Sequence, residues 1–341
     1  MAVISTLYPT LADIVSRADA SGRIDTSIVE MLTETNEMLD DMVFLPANGV
    51  TEHVTTVRVG LPSATWRKLN YGVKPSKSKT KKIKDSLGSL EALARVDKAL
   101  VDLNGNTESF RLSEESAFIE AMTQQMQQAV IYGDSSIDPE KFMGLQARFN
   151  DKSAETAVNV IDAGGTTARS GKLASMYLVC WGPRTVFGLY PKGSTAGLSM
   201  RDLGEEPALD DDGGEYRVLK THYKWNMGLC VRDWRYIVRI ANIDLENLKI
   251  KPDPDKEDTD GKVLIDLMTE ALEKIPHPTG RMAFYCNKDV RTFLRKQIRY
   301  AANVNITMSE VAGKEVVSFD GVPVRRVDAL ANTEKRYTPP S

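Results

Sequence analysis

The segment that most constrains the fold is residues 51–88, a long two-stranded stretch with little apolar side chain to bury. Residues 54–61 alternate between two faces as a β-strand does, and residues 73–84 form a second extended run that contains six lysines. A turn-rich stretch between the runs carries Trp66 and Tyr71. Because an isolated β-hairpin is marginally stable at best in water, we expect a partner surface to cover this segment. A neighbouring subunit is the natural candidate.

The lysine-rich run can be interpreted in three ways. Nucleic-acid binding fits its charge, but the nearest aromatic side chains lie outside the run rather than within it. If the run is a solvated loop, it needs no partner, but this interpretation does not explain why a long two-stranded arm has no core of its own. We therefore favour an intersubunit contact with an acidic surface. The predicted contact residues are Trp66, Arg67, Lys68, Tyr71, Lys74, Lys77, Lys79, Lys81, Lys82 and Lys84.

Two groups of carboxylates are candidate partners for this basic arm. Glu114 and Glu115 begin a predicted helix, where the helix dipole also explains them. A loop before a long strand contains Asp210, Asp211 and Asp212. Trp66 and Tyr71 would anchor the arm, since interface hot spots favour aromatic residues. The alternative for Trp66 is packing within its own hairpin.

The rest of the chain is predicted to be α+β. An apolar stripe closed by a glycine predicts a long helix over residues 114–132. Apolar runs and alternation predict mostly strand over residues 175–244, including nearly twenty extended residues from Trp225 onward with a bulge at Arg232 and Asp233. A charged, proline-containing stretch, residues 253–260, predicts a domain boundary, after which helices and short strands alternate.

Composition excludes several classes of protein. The 341 residues carry a net charge of −3, which does not fit a basic nucleic-acid-binding domain. Three cysteines without a CxxC pair exclude a disulfide framework and a cysteine-rich zinc site, and three histidines leave little imidazole for metal chemistry. No apolar stretch is long enough to span a membrane, and the first residues lack a signal-peptide pattern. These features predict a cytosolic, soluble protein.

No motif for catalysis or cofactor binding satisfies its own spacing. Five residues separate Gly165 from Gly171, and Leu173 stands where a phosphate-binding loop needs a hydroxyl. Residues 193–197 have threonine at the centre of a stretch that superficially resembles a nucleophile elbow. The loop at residues 210–212 lacks the spaced ligands of a calcium loop. We therefore predict no catalytic residue, no cofactor, no metal and no enzymatic activity.

The order of these features resembles the major capsid proteins of tailed bacteriophages with the Hong Kong 97-type fold. The most specific stretch is Val231-Arg-Asp-Trp-Arg-Tyr236. In detail the chain is similar to capsid proteins of short-tailed phages and related prophages. The other stretches that carry the resemblance are the hairpin, the long helix, and residues 188–198, 225–244, 284–287 and 319–324.

The resemblance implies a layout of five segments. These are an N-terminal arm (1–50), an E-loop that lies over a neighbouring subunit (51–90), a P-domain with a spine helix (91–260), an A-domain (261–332) and a C-terminal tail (333–341). In the usual order a long P-domain strand follows the A-domain turn. Only seventeen residues follow Val324 here, and the long strands precede residue 261, so we infer a permuted segment order.

The resemblance also implies a function and a set of partners. The chain would assemble into pentamers and hexamers of an icosahedral shell that encloses double-stranded phage DNA without sequence preference. Scaffolding, portal and decoration proteins would be further partners, with assembly in the host bacterial cytoplasm and no membrane contact. Two alternatives remain open at this point: an encapsulin-like nanocompartment shell, and an α/β enzyme that uses a nucleotide and is built on residues 261–330.

Overall fold

The computed structural model describes residues 34–103, 107–165, 172–210, 212–246, 248, 264–277, 279–299, 306–311 and 314–338. Within these ranges, the backbone alone is described for residues 103, 107–114, 297–299, 306–311 and 314–316. Most of the predicted N-terminal arm therefore lies outside the described residues.

The architecture is mixed α+β, as predicted. The α-helices are α1 (Met38–Asp41), α2 (Lys98–Leu103), α3 (Thr107–Tyr132), α4 (Leu145–Arg148), α5 (Leu264–Lys274) and α6 (Lys288–Arg299). The strands are β1 (Phe44–Pro46), β2 (Glu52–Gly60), β3 (Lys79–Asp97), β4 (Val160–Asp162), β5 (Leu173–Trp181), β6 (Val186–Tyr190), β7 (Leu198–Leu209), β8 (Glu215–Val231), β9 (Ile237–Asp244), β10 (Arg281–Cys286), β11 (Ile306–Val311), β12 (Lys314–Phe319) and β13 (Val322–Arg326).

The chain forms two compact units. The larger unit contains Thr35–Gly88, Gln127–Ala196 and Met227–Ser341, and the described part of the smaller unit is Glu34, Ser89–Met126 and Gly197–Asn226. In the larger unit, β5 lies between two antiparallel neighbours, β9 and β10, and β13 runs parallel to β10. Every residue of β5 and β9 is buried. This burial explains why these strands read as continuous apolar runs rather than as alternating ones.

One hydrophobic core joins the central strands to the helices that follow residue 260. Helix α5 presents buried apolar residues at helical spacing, Leu264, Leu267, Met268 and Ala271. They pack in the same cluster as Met176, Leu178, Val238, Ile240, Phe284, Val290 and Leu294. Residues on both sides of the predicted boundary at 253–260 therefore contribute to one core, and the division into a P-domain and an A-domain at this point stays a prediction. The permuted segment order also stays a prediction.

The extended run predicted from Trp225 onward is two strands rather than one. Strand β8 ends at Val231, a short 3₁₀ turn covers Trp234–Tyr236, and β9 begins at Ile237. The Asp233 side chain caps this turn by accepting a hydrogen bond from the backbone N–H of Arg235. The chain changes direction at this capped turn. Strand β9 then pairs with β5, while β8 pairs with β6 and β7.

The smaller unit is built on the β7–β8 hairpin, the later part of β3 and most of α3. Its core contains Ala94, Met122 and Tyr223, with Phe118 stacked on Tyr223. The apolar stripe predicted for the long helix is thus confirmed. The helix begins at Thr107, seven residues before the predicted start, and ends at Tyr132, where the predicted closing residue Gly133 donates its N–H to the carbonyl of Ala129.

Candidate intersubunit surface

The hairpin predicted over residues 51–88 is present, and its tip stands open to solvent. Strands β2 and β3 pair antiparallel from Glu52↔Ser86 to Gly60↔Lys79. We call residues 61–78, between the two strands, the hairpin tip. Trp66 is fully exposed there, so the alternative that it packs within its own hairpin is wrong. The other exposed apolar side chains of the tip are Leu61 (82%), Leu69 (90%), Tyr71 (68%) and Val73 (53%).

The base of the hairpin, in contrast, is fixed within the larger unit. Arg148 Nη2 donates to the buried Asp85 Oδ1 (2.7 Å) and to the carbonyl of Leu229 (3.1 Å). The Asn48 amide pairs with both backbone groups of Val54, at 2.9 Å to its N–H and 2.7 Å to its carbonyl. These contacts hold the strands where they leave the body, while the tip has no such support.

The basic residues predicted for contact are exposed along one arm of the hairpin. Lys84 forms a cross-strand ion pair with Glu52 (3.3 Å) in which both side chains are largely solvated. Among the described residues, Lys77, Lys79 and Lys81 have no carboxylate within ion-pair distance. Arg67 Nε donates to the carbonyl of Tyr71 (3.1 Å) and shapes the turn of the tip. The remaining contact candidates, Lys68, Lys74 and Lys82, are also exposed.

The acidic candidates do not form one surface. Glu115 is buried, and its Oε1 accepts a hydrogen bond from the Thr221 hydroxyl (2.7 Å), so it is unavailable to another subunit and that prediction is wrong. Asp210 Oδ1 accepts from the N–H groups of Asp212 (3.1 Å) and Gly214 (2.5 Å) and holds its own turn. Asp212 is exposed. Asp211 and the side chain of Glu114 lie outside the described residues.

A buried polar network near the C-terminus was missed by sequence reasoning, which took residues 333–341 as a polar tail. Glu334 is buried and accepts hydrogen bonds from Arg239 Nη2 (3.0 Å) and the Tyr132 hydroxyl (2.7 Å). The Asn242 amide pairs with both backbone groups of Tyr337, at 2.8 and 2.7 Å. A basic residue inside the apolar β9 run is the signal that could have predicted a carboxylate partner.

The described residues offer no other arrangement suited to chemistry. No group of three or more His, Cys, Asp or Glu side chains that could hold a metal ion occurs in the described ranges. Cys180, Cys230 and Cys286 are free and buried, and burial raises the pKa of Cys286 to about 12. No helix of the described part of the chain is long and apolar enough to cross a membrane. Most of the glycine-rich stretch before Lys172 lies outside the described residues.

The fold is that of the Hong Kong 97-type class of phage capsid proteins, as two solved structures show. A chain in the cryo-electron microscopy structure of bacteriophage Epsilon15 is 36% identical, with a TM-score of 0.75 over 99% of this chain and 100% of that one. A chain of the bacteriophage JBD30 capsid shares the fold at 10% identity and a TM-score of 0.51, over 89% and 94% of the two chains. No curated protein matches.

The family model for "Major capsid protein GP7" matches residues 19–338. The chain therefore belongs to this family of tailed-phage major capsid proteins, and it is a structural protein of a phage shell. The holo-SrpI encapsulin of Synechococcus elongatus PCC 7942 is only distantly similar, at 13% identity and a TM-score of 0.43 over 69% of this chain and 97% of that one.

Proposed function

We propose that the subunit builds the shell by laying its hairpin tip over a neighbouring subunit, within pentamers and hexamers. The observation that carries this proposal is the exposure of the apolar tip side chains, with Trp66 fully exposed. Exposed apolar patches of this kind mark interaction sites. Because the base of the hairpin is held by contacts within its own chain, the tip is presented to a partner at the end of a supported ribbon.

Truncating the aromatic anchor tests this proposal directly. Trp66→Ala should raise the subunit concentration needed for assembly by about 30-fold, since removal of an interface hot spot costs roughly 2 kcal/mol or more. Particle yield is measured by sedimentation and negative-stain microscopy across a subunit dilution series. The subunit itself should keep its circular dichroism spectrum and melting temperature, because Trp66 contributes nothing to its own core.

The matched control is Ile137→Ala, which shortens another exposed apolar side chain (77%) outside the hairpin. Its assembly curve should overlay that of the unmodified protein. If Trp66→Ala assembles at the same subunit concentration as Ile137→Ala, the tip is not an anchor and the proposal fails.

The lysines of the arm are proposed to face acidic groups of the same neighbour. Reversing Lys77, Lys79 and Lys81 to glutamate should impair shell formation and leave subunit folding intact, because these side chains have no carboxylate partner among the described residues. Reversing Lys152 and Lys192, exposed lysines outside the hairpin, is the control. Normal particles from the triple variant would reject the electrostatic part of the proposal.

We further propose that the shell encloses double-stranded DNA without sequence preference and is assembled in the host bacterial cytoplasm with scaffolding, portal and decoration proteins. Family membership supports this, and the net charge of −3 suits a container that must later release its contents. Membership also implies that the chain is no enzyme. Nuclease protection of packaged DNA tests the first point, and a nucleotide-dependent rise in melting temperature would favour the enzyme alternative.

A further inference from the structure

A groove in the larger unit is lined by both strands of the hairpin on one side and by three segments of the body on the other, residues 153–156, Arg184 and residues 232–235. Its apolar lining comes mainly from Val57, Val59 and Ile83 of the strands and from Trp234 of the body, all of them at least partly exposed. Arg58 and Lys81 rise from the same strands, while Arg184 and Arg232 come from the turns after β5 and β8. The groove therefore combines an apolar strip with basic side chains contributed by both sides.

Four of the five basic side chains that line the groove have no ion pair among the described residues, and the exception is Arg235. Asp233 is already bound by Arg235, at 2.9 Å from Nε and 2.7 Å from Nη2. Within the described part of the chain, the four basic residues named above have no carboxylate at ion-pair distance. Glu155 is the one other acidic residue in the lining. A surface of this composition favours an acidic segment that carries an apolar side chain.

The chain presents such a segment at the end of the β7–β8 hairpin. Leu209 is 71% exposed at the end of β7, and Asp212 and Glu215 follow it as exposed carboxylates. Asp210 fixes the turn through the backbone N–H groups of Asp212 and Gly214. Because the turn is held by its own hydrogen bonds, it can dock with little further ordering cost.

We propose that this basic groove binds the β7–β8 turn of a second copy, with Leu209 on the apolar strip and Asp212 and Glu215 against Arg184 and Arg232. Charge complementarity between the two surfaces carries the assignment. This contact rests on the proposed shell-forming function and adds a second intersubunit contact, independent of the hairpin tip.

A charge swap tests the contact. R184E/R232E and D212K/E215K should each lower the yield of particles by about tenfold or more at a fixed subunit concentration, because each places like charges together. The chain that carries all four substitutions should recover most of the yield. Circular dichroism and gel filtration of each subunit check folding, and R184Q/R232Q provides a milder variant if charge reversal prevents folding.

The possible outcomes separate this contact from other occupants of the groove. Normal assembly of either reversed variant, or loss without recovery in the combined chain, overturns the proposal. Normal particles that lose packaged DNA in R184E/R232E would assign the groove to nucleic acid and also overturn it. If Trp66→Ala prevents assembly while both charge variants assemble normally, the groove contact fails and the function proposed for the hairpin tip stands.

Discussion

Replacing Glu334 by glutamine should destabilise the larger unit far more than its place near the C-terminus suggests. Glu334 accepts hydrogen bonds from Arg239 Nη2 (3.0 Å), the Tyr132 hydroxyl (2.7 Å) and the Ser175 hydroxyl (2.5 Å). The side chains of Arg239 and Glu334 are 1% and 3% exposed. Glutamine keeps the shape of the side chain but removes the charge that compensates a buried guanidinium.

The size of the effect follows from that burial. Removing one partner of a buried ion pair costs about 3–5 kcal/mol, because the other charge is left uncompensated in the interior. Arg239 keeps its hydrogen bond to the carbonyl of Phe149 (3.1 Å), and glutamine still offers an acceptor. The lower end of the range, about 3 kcal/mol, is therefore the expected loss in the free energy of unfolding. With a urea dependence of about 3 kcal/mol per molar, the midpoint of unfolding should fall by about 1 M.

Urea unfolding of the unassembled full-length subunit, followed by circular dichroism, measures this shift. The exposed Glu140→Gln replacement in the same unit is the matched control and should change the free energy of unfolding by less than about 0.5 kcal/mol. Replacing the pair together, as Arg239→Met with Glu334→Leu, should recover most of the loss, since apolar substitution of a buried pair is often neutral. Equal midpoints for Glu334→Gln and Glu140→Gln would refute the reasoning.

Two further predictions concern the base of the hairpin. Burial lowers the pKa of His53, whose Nδ1 accepts the N–H of Asn48 (3.2 Å). The neutral imidazole of His53 therefore contributes stability to the folded state, and this contribution is fully present above the unfolded-state pKa of about 6.5. It is lost as the pH falls through the lower folded-state pKa. Hydrogen-exchange protection factors at the base, which correct for the pH dependence of the intrinsic exchange rate, should therefore fall on acidification in the unmodified protein. An identical fall in His53→Gln would contradict this cause. Gly228→Ala would place a Cβ 2.8 Å from the carbonyl oxygen of Ser86 and should lower the free energy of unfolding in urea by about 1–3 kcal/mol. The control is Gly72→Ala, whose Cβ would meet nothing within 4 Å and which should leave the free energy of unfolding unchanged. An equal loss in both variants would count against the close approach at Gly228.

Local patterns predicted the elements whose signal lies within their own stretch of sequence. The hairpin follows from alternation and from the lysines of its second strand, and the stripe of α3 follows from apolar spacing that includes Phe118 and Met122. The full exposure of Trp66 did not follow from the pattern, which left open that this side chain packs within its own hairpin. The periodicity of apolar residues indicates which face of a helix or strand is buried, and the hairpin and the stripe of α3 were predicted from local patterns of this kind alone.

Long-range pairing is what the patterns could not predict. The charged, proline-containing stretch at 253–260 is typical of a domain linker, but β9 before it and α5 after it share one core. Arg239 and Glu334 are 95 residues apart in sequence, and no local spacing relates them. Glu115 was interpreted through the helix dipole, whereas the helix begins at Thr107 and buries this carboxylate against Thr221.

In the proposed function, the base of the hairpin belongs to the part of the subunit that folds alone and its tip to the part that assembles. At its base, the buried Asp85 is paired with Arg148 inside the same chain, so this end can form before any neighbour is present. At its tip, Trp66 gains no burial from its own chain, so its apolar surface leaves water only when another subunit covers it. An open apolar tip is also an aggregation hazard, and exposed lysines such as Lys79 and Lys81 on the adjoining strand oppose pairing with the wrong partner. In the proposed contact, the basic charge that first made this segment unusual would limit where the apolar tip can dock, because a partner that covers the tip would also have to supply carboxylates beside it.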